Sequence, residues 1–303
     1  MVVNRGNFGS QIWPGINKNF WDFMDSYPEV WPGIFSKNTS TMAFEKVQQL
    51  TGMGLPREIT EGGPIQYSDF KEGYQNTFTH VKYGMGFIIT REAFDDNVYG
   101  TLGKQRSQGL AFSMKQNKET IGANIFNRAF TATYAYGDGK ELCATDHPNK
   151  NGGTWANEPT TASDLNETAL QQAIIDIRNF KTDAGLKISV QPRFLLVPPS
   201  TSMFQAERLF KSTQRVETAN NDVNVVKSMN LIPEGYRVWQ FLTDSDAWFI
   251  ITNFPNGFMY FQRRALDFGQ ENDFDTENAK FKAVERYSFG CADPRSVYGS
   301  PGA

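Results

Sequence analysis

"FIITREAFDDNVYGTLGKQRSQGLAFSMKQNKETIGANIFNRAF", Phe87–Phe130, changes its period once, at Thr90. Before it, Val81, Tyr83, Met85, Phe87 and Ile89 alternate with Lys82, Gly84, Gly86 and Ile88. Period two predicts a strand with one buried face. After Thr90, which is placed to cap, Phe94, Val98, Leu102, Leu110, Met114, Ile121 and Ile125 follow one face at helical steps, with no proline between them. At 1.5 Å per residue, roughly 40 residues of helix would be on the order of 60 Å long. Gly100, Gly103, Gly109 and Gly122 interrupt it. Each costs up to about 1 kcal/mol against alanine, which predicts a bend. A one-sided helix of that length must pack across a sheet or another helix.

Upstream, "GMGLPREITEGGPIQYSDFKEG", Gly52–Gly73, is polar and carries Gly-Gly-Pro, a loop or hairpin-tip signal. With the strand that follows, it predicts a long two-stranded excursion with a polar outer half. Such a ribbon is marginal alone in water and needs a partner surface. The first 50 residues lack regular pattern. "IWPGIN" (Ile12–Asn17) recurs loosely as "VWPGIF" (Val30–Phe35), and Trp-Pro-Gly favours turns. Trp13, Phe20, Trp21, Phe23, Trp31 and Phe35 make this an aromatic-studded arm, expected to lie against its own domain or a neighbouring chain. A short helix is expected over 41–50, capped by Ser40 or Thr41, with Glu45 in its first turn.

Downstream, Asp164 and Glu167 have capping-box spacing. They predict a helix with a stripe of Leu170, Ala173, Ile174, Ile177 and Phe180, ended by Gly185. "LKISVQPRFLLVPPS" reads as a strand stopped by Pro198-Pro199, and "STSMFQAERLFKS" as a helix. "RVWQFLTDSDAWFIITN" is expected to be a hairpin turning at Asp244-Ser245-Asp246. "GFMYFQRRALDFG" and "NAKFKAVERYSFGCADPR" are strands, the second with Phe281, Ala283, Tyr287 and Phe289 on one face. The chain is therefore α+β, with mixed, largely antiparallel pairing.

The 303 residues suffice for one large domain or two ordinary ones. Hydrophobic residues at 39% and charged residues at 21% can form a core. A net charge of −3 argues against a general basic surface for nucleic acid and suits a protein lying beside a polyanion without sticking to it. Two cysteines give no disulfide framework, which fits a reducing compartment. The start, "MVVNRGNFGSQIWPG", lacks the apolar core of a secretion signal. No apolar run approaches the roughly 20 residues that span a bilayer. A soluble protein made in the cytosol is the expectation. Aromatic residues make up 14%, yet mean hydropathy is −0.49. That combination suits thin layers and interfaces as well as ordinary cores.

"GDGKELCATDHPNKNGG", Gly137–Gly153, brings Cys143, Asp146 and His147 within five positions. A thiol nucleophile needs a base that a third group orients, and zinc wants about four regularly spaced ligands. Neither is present: the other histidine, His80, is expected to face solvent, and Pro148-Asn149 reads as a turn. A structured loop is the expectation, with no catalytic, cofactor or metal residues assigned. Asp267-Phe268-Gly269 lacks the companion motifs of a kinase, and "YGTLGKQ" lacks the spacing of a phosphate loop. "NDFDTEN", Asn272–Asn278, resembles part of a calcium loop without its central glycine.

Taken in order, these segments resemble the major capsid proteins of tailed phages, most closely the Mu-like prophage major head subunit group with the Hong Kong-97-type capsid fold. "FIITREAFDDNVYG" resembles that group's strand-to-spine-helix junction. "NRAF" followed by "DGKELCATDHPN" resembles its DG-x-x-L-(F/C)-x-x-x-HPN stretch, which makes His147 and Asn149 parts of a family loop. "ISVQPRFLLVPPS" with "QAERLFKS", then "LTDSDAWFI", then "VERYSFGCADPRSVYGSPG" complete the order. The resemblance implies an N-terminal arm over 1–52 and an extended loop over 53–89. It implies a peripheral domain over 90–185 plus 263–303, with the spine helix, and an axial domain over 186–262. It further implies a virion shell of pentamers and hexamers around packaged double-stranded DNA, assembled in the bacterial cytoplasm. The partners would be copies of the chain, a portal, scaffolding or decoration proteins, and DNA held only non-specifically, with no membrane and no cofactor. Trp13, Trp21 and Trp31 on the arm and Arg57, Glu58, Glu61, Lys71 and Glu72 on the loop are the candidate inter-subunit contacts. No long helical segment precedes residue 50, which leaves a separate scaffolding protein and an already processed chain both open. An encapsulin-like compartment and a soluble enzyme using the Cys143–His147 loop are the alternatives.

Overall fold

The change of period at Thr90 is a change of element. A computed structural model of the chain describes residues 8–49, 51–65, 67, 71–95, 99–215, 222–273, 276 and 278–303. In chain order the helices are α1 (Phe8–Ser26), α2 (Arg91–Asp95), α3 (Tyr99–Asn127), α4 (Glu167–Arg178), α5 (Thr201–Lys211) and α6 (Val225–Ser228). The strands are β1 (Ser36–Thr39), β2 (Phe44–Gln48), β3 (Gln75–Thr79), β4 (Val81–Ile89), β5 (His147–Pro148) and β6 (Thr154–Trp155). They continue with β7 (Pro192–Val197), β8 (Tyr236–Val238), β9 (Trp248–Thr252), β10 (Phe258–Asn272), β11 (Ala279–Cys291) and β12 (Val297–Ser300).

The single long helix expected after Thr90 is shorter. Its main part, α3, has 29 residues, about 43 Å of helix. Phe94 and Val98 lie outside the described side chains. Leu110 and Met114 are buried as expected, with Ala111, Ala123 and Phe126 beside them. Lys115 and Glu119 are also buried, which the apolar pattern does not predict. A Cβ on Gly122 would lie 3.2 Å from the Trp239 ring, so this glycine serves a close approach.

Two four-stranded sheets carry the fold. The first runs β1-β10-β11-β4: β1 is parallel to β10, and the other pairs are antiparallel. The second runs β12-β9-β7-β8, with β8 parallel to β7. The helix α3 and both sheets meet at a core of Phe35, Phe126, Phe194, Trp239, Phe249, Phe258 and Tyr287. Strand alternation divides the second sheet's two faces. Phe194, Leu196, Phe249 and Ile251 join that core, whereas Leu195, Val197, Trp248 and Ile250 pack with α4 and α5 residues such as Ile174 and Leu209. A third cluster seats α1 on α3 and the first sheet through Ile16, Phe20, Phe268 and Phe281.

Several local expectations give way to this packing. The arm is not irregular: α1 runs through Trp13-Pro14-Gly15, and Phe20 stacks on Phe268 at 4.3 Å and 3°. Tertiary burial of one face thus overrides the turn chemistry of the tripeptide. The second Trp-Pro-Gly, Trp31–Gly33, forms a short 3-10 turn. The helix expected over 41–50 is instead β2, paired to β3 from Phe44↔Thr79 to Gln48↔Gln75. Its Ser40 signal is genuine but belongs to a turn: Met42 N–H donates to Ser40 Oγ, 3.1 Å, and Ser40 Oγ–H donates to Glu45 Oε1, 2.6 Å. The expected excursion also changes strands. Its ribbon is β2–β3, and β4 belongs to the first sheet, where Val81 and Met85 remain exposed. The expected hairpin at Asp244–Asp246 is absent, because β8 and β9 both pair with β7, which lies between them.

Candidate functional site

The loop from Gly137 to Asn157 is organised by one buried asparagine. Asn157 Nδ2 lies 2.8, 3.1 and 3.2 Å from the carbonyls of Leu142, Pro294 and Val297. Those three acceptors orient the amide and leave Oδ1 to accept. It accepts from Ala144 N–H at 2.9 Å and faces His147 Nε2 at 3.0 Å. His147 Nδ1 meets Asp138 Oδ2 at 2.7 Å, and the ring stacks on Trp155 at 4.7 Å. Both ring nitrogens are engaged, so the imidazole is not free to act as a base for Cys143. Burial pushes the Cys143 thiol well above its ordinary range, and it pushes Cys291 up to about 12. A thiolate is the reactive form, and neither cysteine supplies one. The geometry lends no support to the alternative of an enzyme using the Cys143–His147 loop: Cys143, His147 and Asn157 are buried as braces, while Asp146 and residues 150–154 are exposed. His80 also departs from expectation. Its side chain is buried, 3% exposed, between Ser40 and Ser288.

A second buried group, not expected from the sequence, holds the same loop from below. Arg295 Nη2 meets Asp183 Oδ1 at 2.6 Å, and Nη1 lies 3.4 Å from Asp293 Oδ2. Its Nε donates to the Lys181 carbonyl, and the guanidinium lies 4.6 Å from the Trp155 ring centroid. The only signal was an arginine in a terminal segment flanked by turn residues, which does not distinguish a buried arginine from an exposed one. Among the described residues, no three of His, Cys, Asp and Glu are grouped to hold a metal ion. The Asn272–Asn278 segment lies partly outside them. No helix among the described residues is long and apolar enough to cross a membrane.

The candidate contact residues separate into three groups. Trp31 is 3% exposed and packs against Tyr260 and Phe289 of its own chain, which removes it from any surface. Trp21 is 39% exposed on α1. The side chain of Trp13 lies outside the described residues. Arg57, Glu58, Glu61, Lys71 and Glu72 are all exposed on the connection between β2 and β3, which has no regular structure where described. The structure adds an apolar set that the polar reading of this loop passed over: Met53, Leu55, Ile59, Ile65 and Tyr67, with Leu55 at 76% and Tyr67 at 96% exposure. These side chains share the parity of a strand, but Pro56, Gly62, Gly63 and Pro64 between them break up the run, so the stretch reads as a loop.

The comparisons with known proteins agree on one architecture. A family model described as phage capsid protein matches residues 74–300. The mature capsid of bacteriophage PhiM1 is 12% identical with a TM-score of 0.55, over 90% of this chain and 86% of that one. A chain of Mycobacterium phage Patience is 11% identical with a TM-score of 0.52, over 98% and 88%. A virus-like particle from Pyrococcus furiosus is 10% identical with a TM-score of 0.52, over 94% and 97%. No curated protein matches the chain in sequence. With three-quarters of its length matched and both four-stranded sheets and the long helix α3 in place, the chain belongs to the phage capsid protein family, as a major capsid protein of Hong Kong-97-type fold.

Proposed function

We propose that the protein assembles with copies of itself, as pentamers and hexamers, into a closed icosahedral shell around packaged double-stranded DNA. The observation that carries this is the loop between β2 and β3. It presents Leu55, Ile59, Ile65 and Tyr67 to solvent beside charges of both signs. Burying one such apolar side chain contributes about 1.5–3 kcal/mol, and the chain buries none of them on itself. Repeated, identical interfaces close into symmetric shells. Each can be modest, because many act together.

In this reading residues 1–52 are the arm and 53–89 the extended loop. Residues 90–185 plus 263–303 form the peripheral part, and 186–262 the axial part. The last strand, β12, crosses to sit beside β9. The arm's α1 lies on its own α3 and first sheet, and Trp21 on its outer face is offered to a neighbour. A portal and scaffolding or decoration proteins would complete the particle, which assembles in the host cytoplasm. DNA would be enclosed rather than gripped, in keeping with the net charge of −3. The role needs no catalysis, and membership of the Mu-like group is part of the same proposal.

Electron microscopy of the purified full-length chain tests it. Angular shells are expected, containing DNA when made during infection. Shells loaded with host proteins instead of DNA would favour an encapsulin-like compartment. A dispersed monomer at high concentration would overturn both.

A further inference from the structure

His80 sits at the single residue between β3 and β4, where the β2–β3 ribbon leaves the first sheet. Its ring bridges two elements: Nε2 is 3.1 Å from Ser40 Oγ, at the end of β1, and Nδ1 is 2.9 Å from Ser288 Oγ, on β11. The tautomer follows from counting hydrogens. The one hydrogen of the Ser40 hydroxyl goes to Glu45 Oε1, so toward the ring Ser40 can only accept. Nε2 therefore carries the proton, and Nδ1 accepts from Ser288. The result is a one-way chain, Ser288 to His80 to Ser40 to Glu45, which fastens β11, the hinge, β1 and β2 together. We infer that His80 is an acid-sensitive latch for the ribbon: protonating Nδ1 reverses the Ser288 bond, places a cation in the joint, and loosens the base of the ribbon from the sheet.

The charged groups acting on the ring are Arg286 on β11, Arg263 on β10 and Glu45 on β2. Arg286 also donates to the His80 carbonyl at 3.1 Å, which holds its positive charge close. Burial first, then Arg286 and Arg263, keep the imidazole below its ordinary range, and Glu45 opposes them. For a base held neutral in the fold, the stabilisation is complete above the unfolded value, about 6.5, and is lost as pH falls through the lower folded value. A loosened base would let the loop between β2 and β3 change its angle to the sheet. The latch belongs to the single chain and operates whether or not that loop lies on a second copy.

Hydrogen–deuterium exchange on the full-length chain, corrected for the intrinsic pH dependence of exchange, tests the latch. On acidification from pH 7.5, peptides covering β2 and β3 are expected to lose protection, by up to about tenfold per pH unit between about 6.5 and the lower folded value, while β10 and β11 keep theirs. Glu45→Gln keeps an oxygen for the Ser40 hydroxyl but removes the charge, and should move the midpoint to lower pH. Arg286→Gln should move it to higher pH. His80→Gln should flatten the response. Ribbon protection that does not change with pH overturns the latch. So does a loss shared at the same pH by β10 and β11, or a midpoint that neither charge substitution moves.

Discussion

Glu158 is a carboxyl group held where its charge is opposed. Burial and then Glu141 push it up to about 7, against a weaker pull from His147. Its ordinary value is 4.5. Between those two values the folded chain holds a proton that the unfolded chain has released. Folding is therefore favoured at the acid end and loses stability as pH rises through the window. The full shift would correspond to about 3.4 kcal/mol, and solvent screening of a half-buried group reduces the effect to about 1 kcal/mol. Glu158→Gln should stabilise the chain by about that amount above pH 7 and change nothing near pH 4.5, read from urea midpoints at both pH values. An equal effect at the two pH values would rule the charge out as the cause. The neighbouring thiols make a simpler case. Cys143 and Cys291 are fully buried with raised values, so a thiol reagent should label them only as fast as the chain unfolds. At this scale the sequence shows which residues lie close along the chain, but not which of them meet. Cys143, Asp146 and His147 are neighbours in the chain, yet His147 bonds Asp138 and Asn157 instead. Side-chain direction depends on the fold of the whole loop, and nothing in a five-residue window encodes it.

At the scale of elements, caps and strand neighbours are where sequence reading erred, and both errors have physical causes. Asp164 and Glu167 have capping-box spacing, but the helix α4 starts two residues later than the box implies. Asn166 is the cap, and its side chain accepts from Ala169 N–H at 2.8 Å. Both Asp164 and Asn166 are residue types that cap well, so spacing alone does not choose between them. Asn166→Ala should cost about 1 kcal/mol, whereas Asp164→Ala should cost less. Equal losses in denaturant midpoint would return the cap to Asp164. Strand partners are harder still. The apolar runs of β7 and β9 are buried on both faces, so they carry no alternation that says which face, or which neighbour, each will take. Elements with one buried face were legible. The stripe of α4 from Leu170 to Ile177 and the strand β11 with Phe281, Ala283 and Tyr287 buried stand where their periods put them, although α4 ends at Arg178, short of Phe180 and Gly185.

At the scale of the whole molecule the fold was legible from the order of its motifs, because strand, spine helix, loop, second sheet and closing strand occur in one fixed succession. What the order could not supply was the division between surfaces that a chain covers by itself and those it leaves open. The sequence leaves the arm two places to lie, its own domain or a neighbouring chain, and α1 takes the first, seated on its own α3 and first sheet by Ile16 and Phe20. The connection between β2 and β3 is the reverse case. It was read as polar, yet it exposes Leu55, Ile59 and Ile65. Both follow from one rule: an apolar side chain reveals its partner only when it is periodic enough to specify a face. Residues 55–65, which bury no side chain at home, can be removed without harm to the fold. Replacing Leu55–Ile65 with a short Gly-Ser linker should therefore leave the unfolding free energy from denaturant titration unchanged to within about 0.5 kcal/mol. The same chain should form no closed shells under the electron microscope, because the apolar area that would bind copies together has gone. Reversing Lys71 and Glu72 in the intact chain should have a smaller effect that fades at high salt, since exposed ion pairs contribute only about 0–1 kcal/mol each. Normal shells from the shortened chain would place the binding surface elsewhere, with the exposed face of α1 around Trp21 the next to examine.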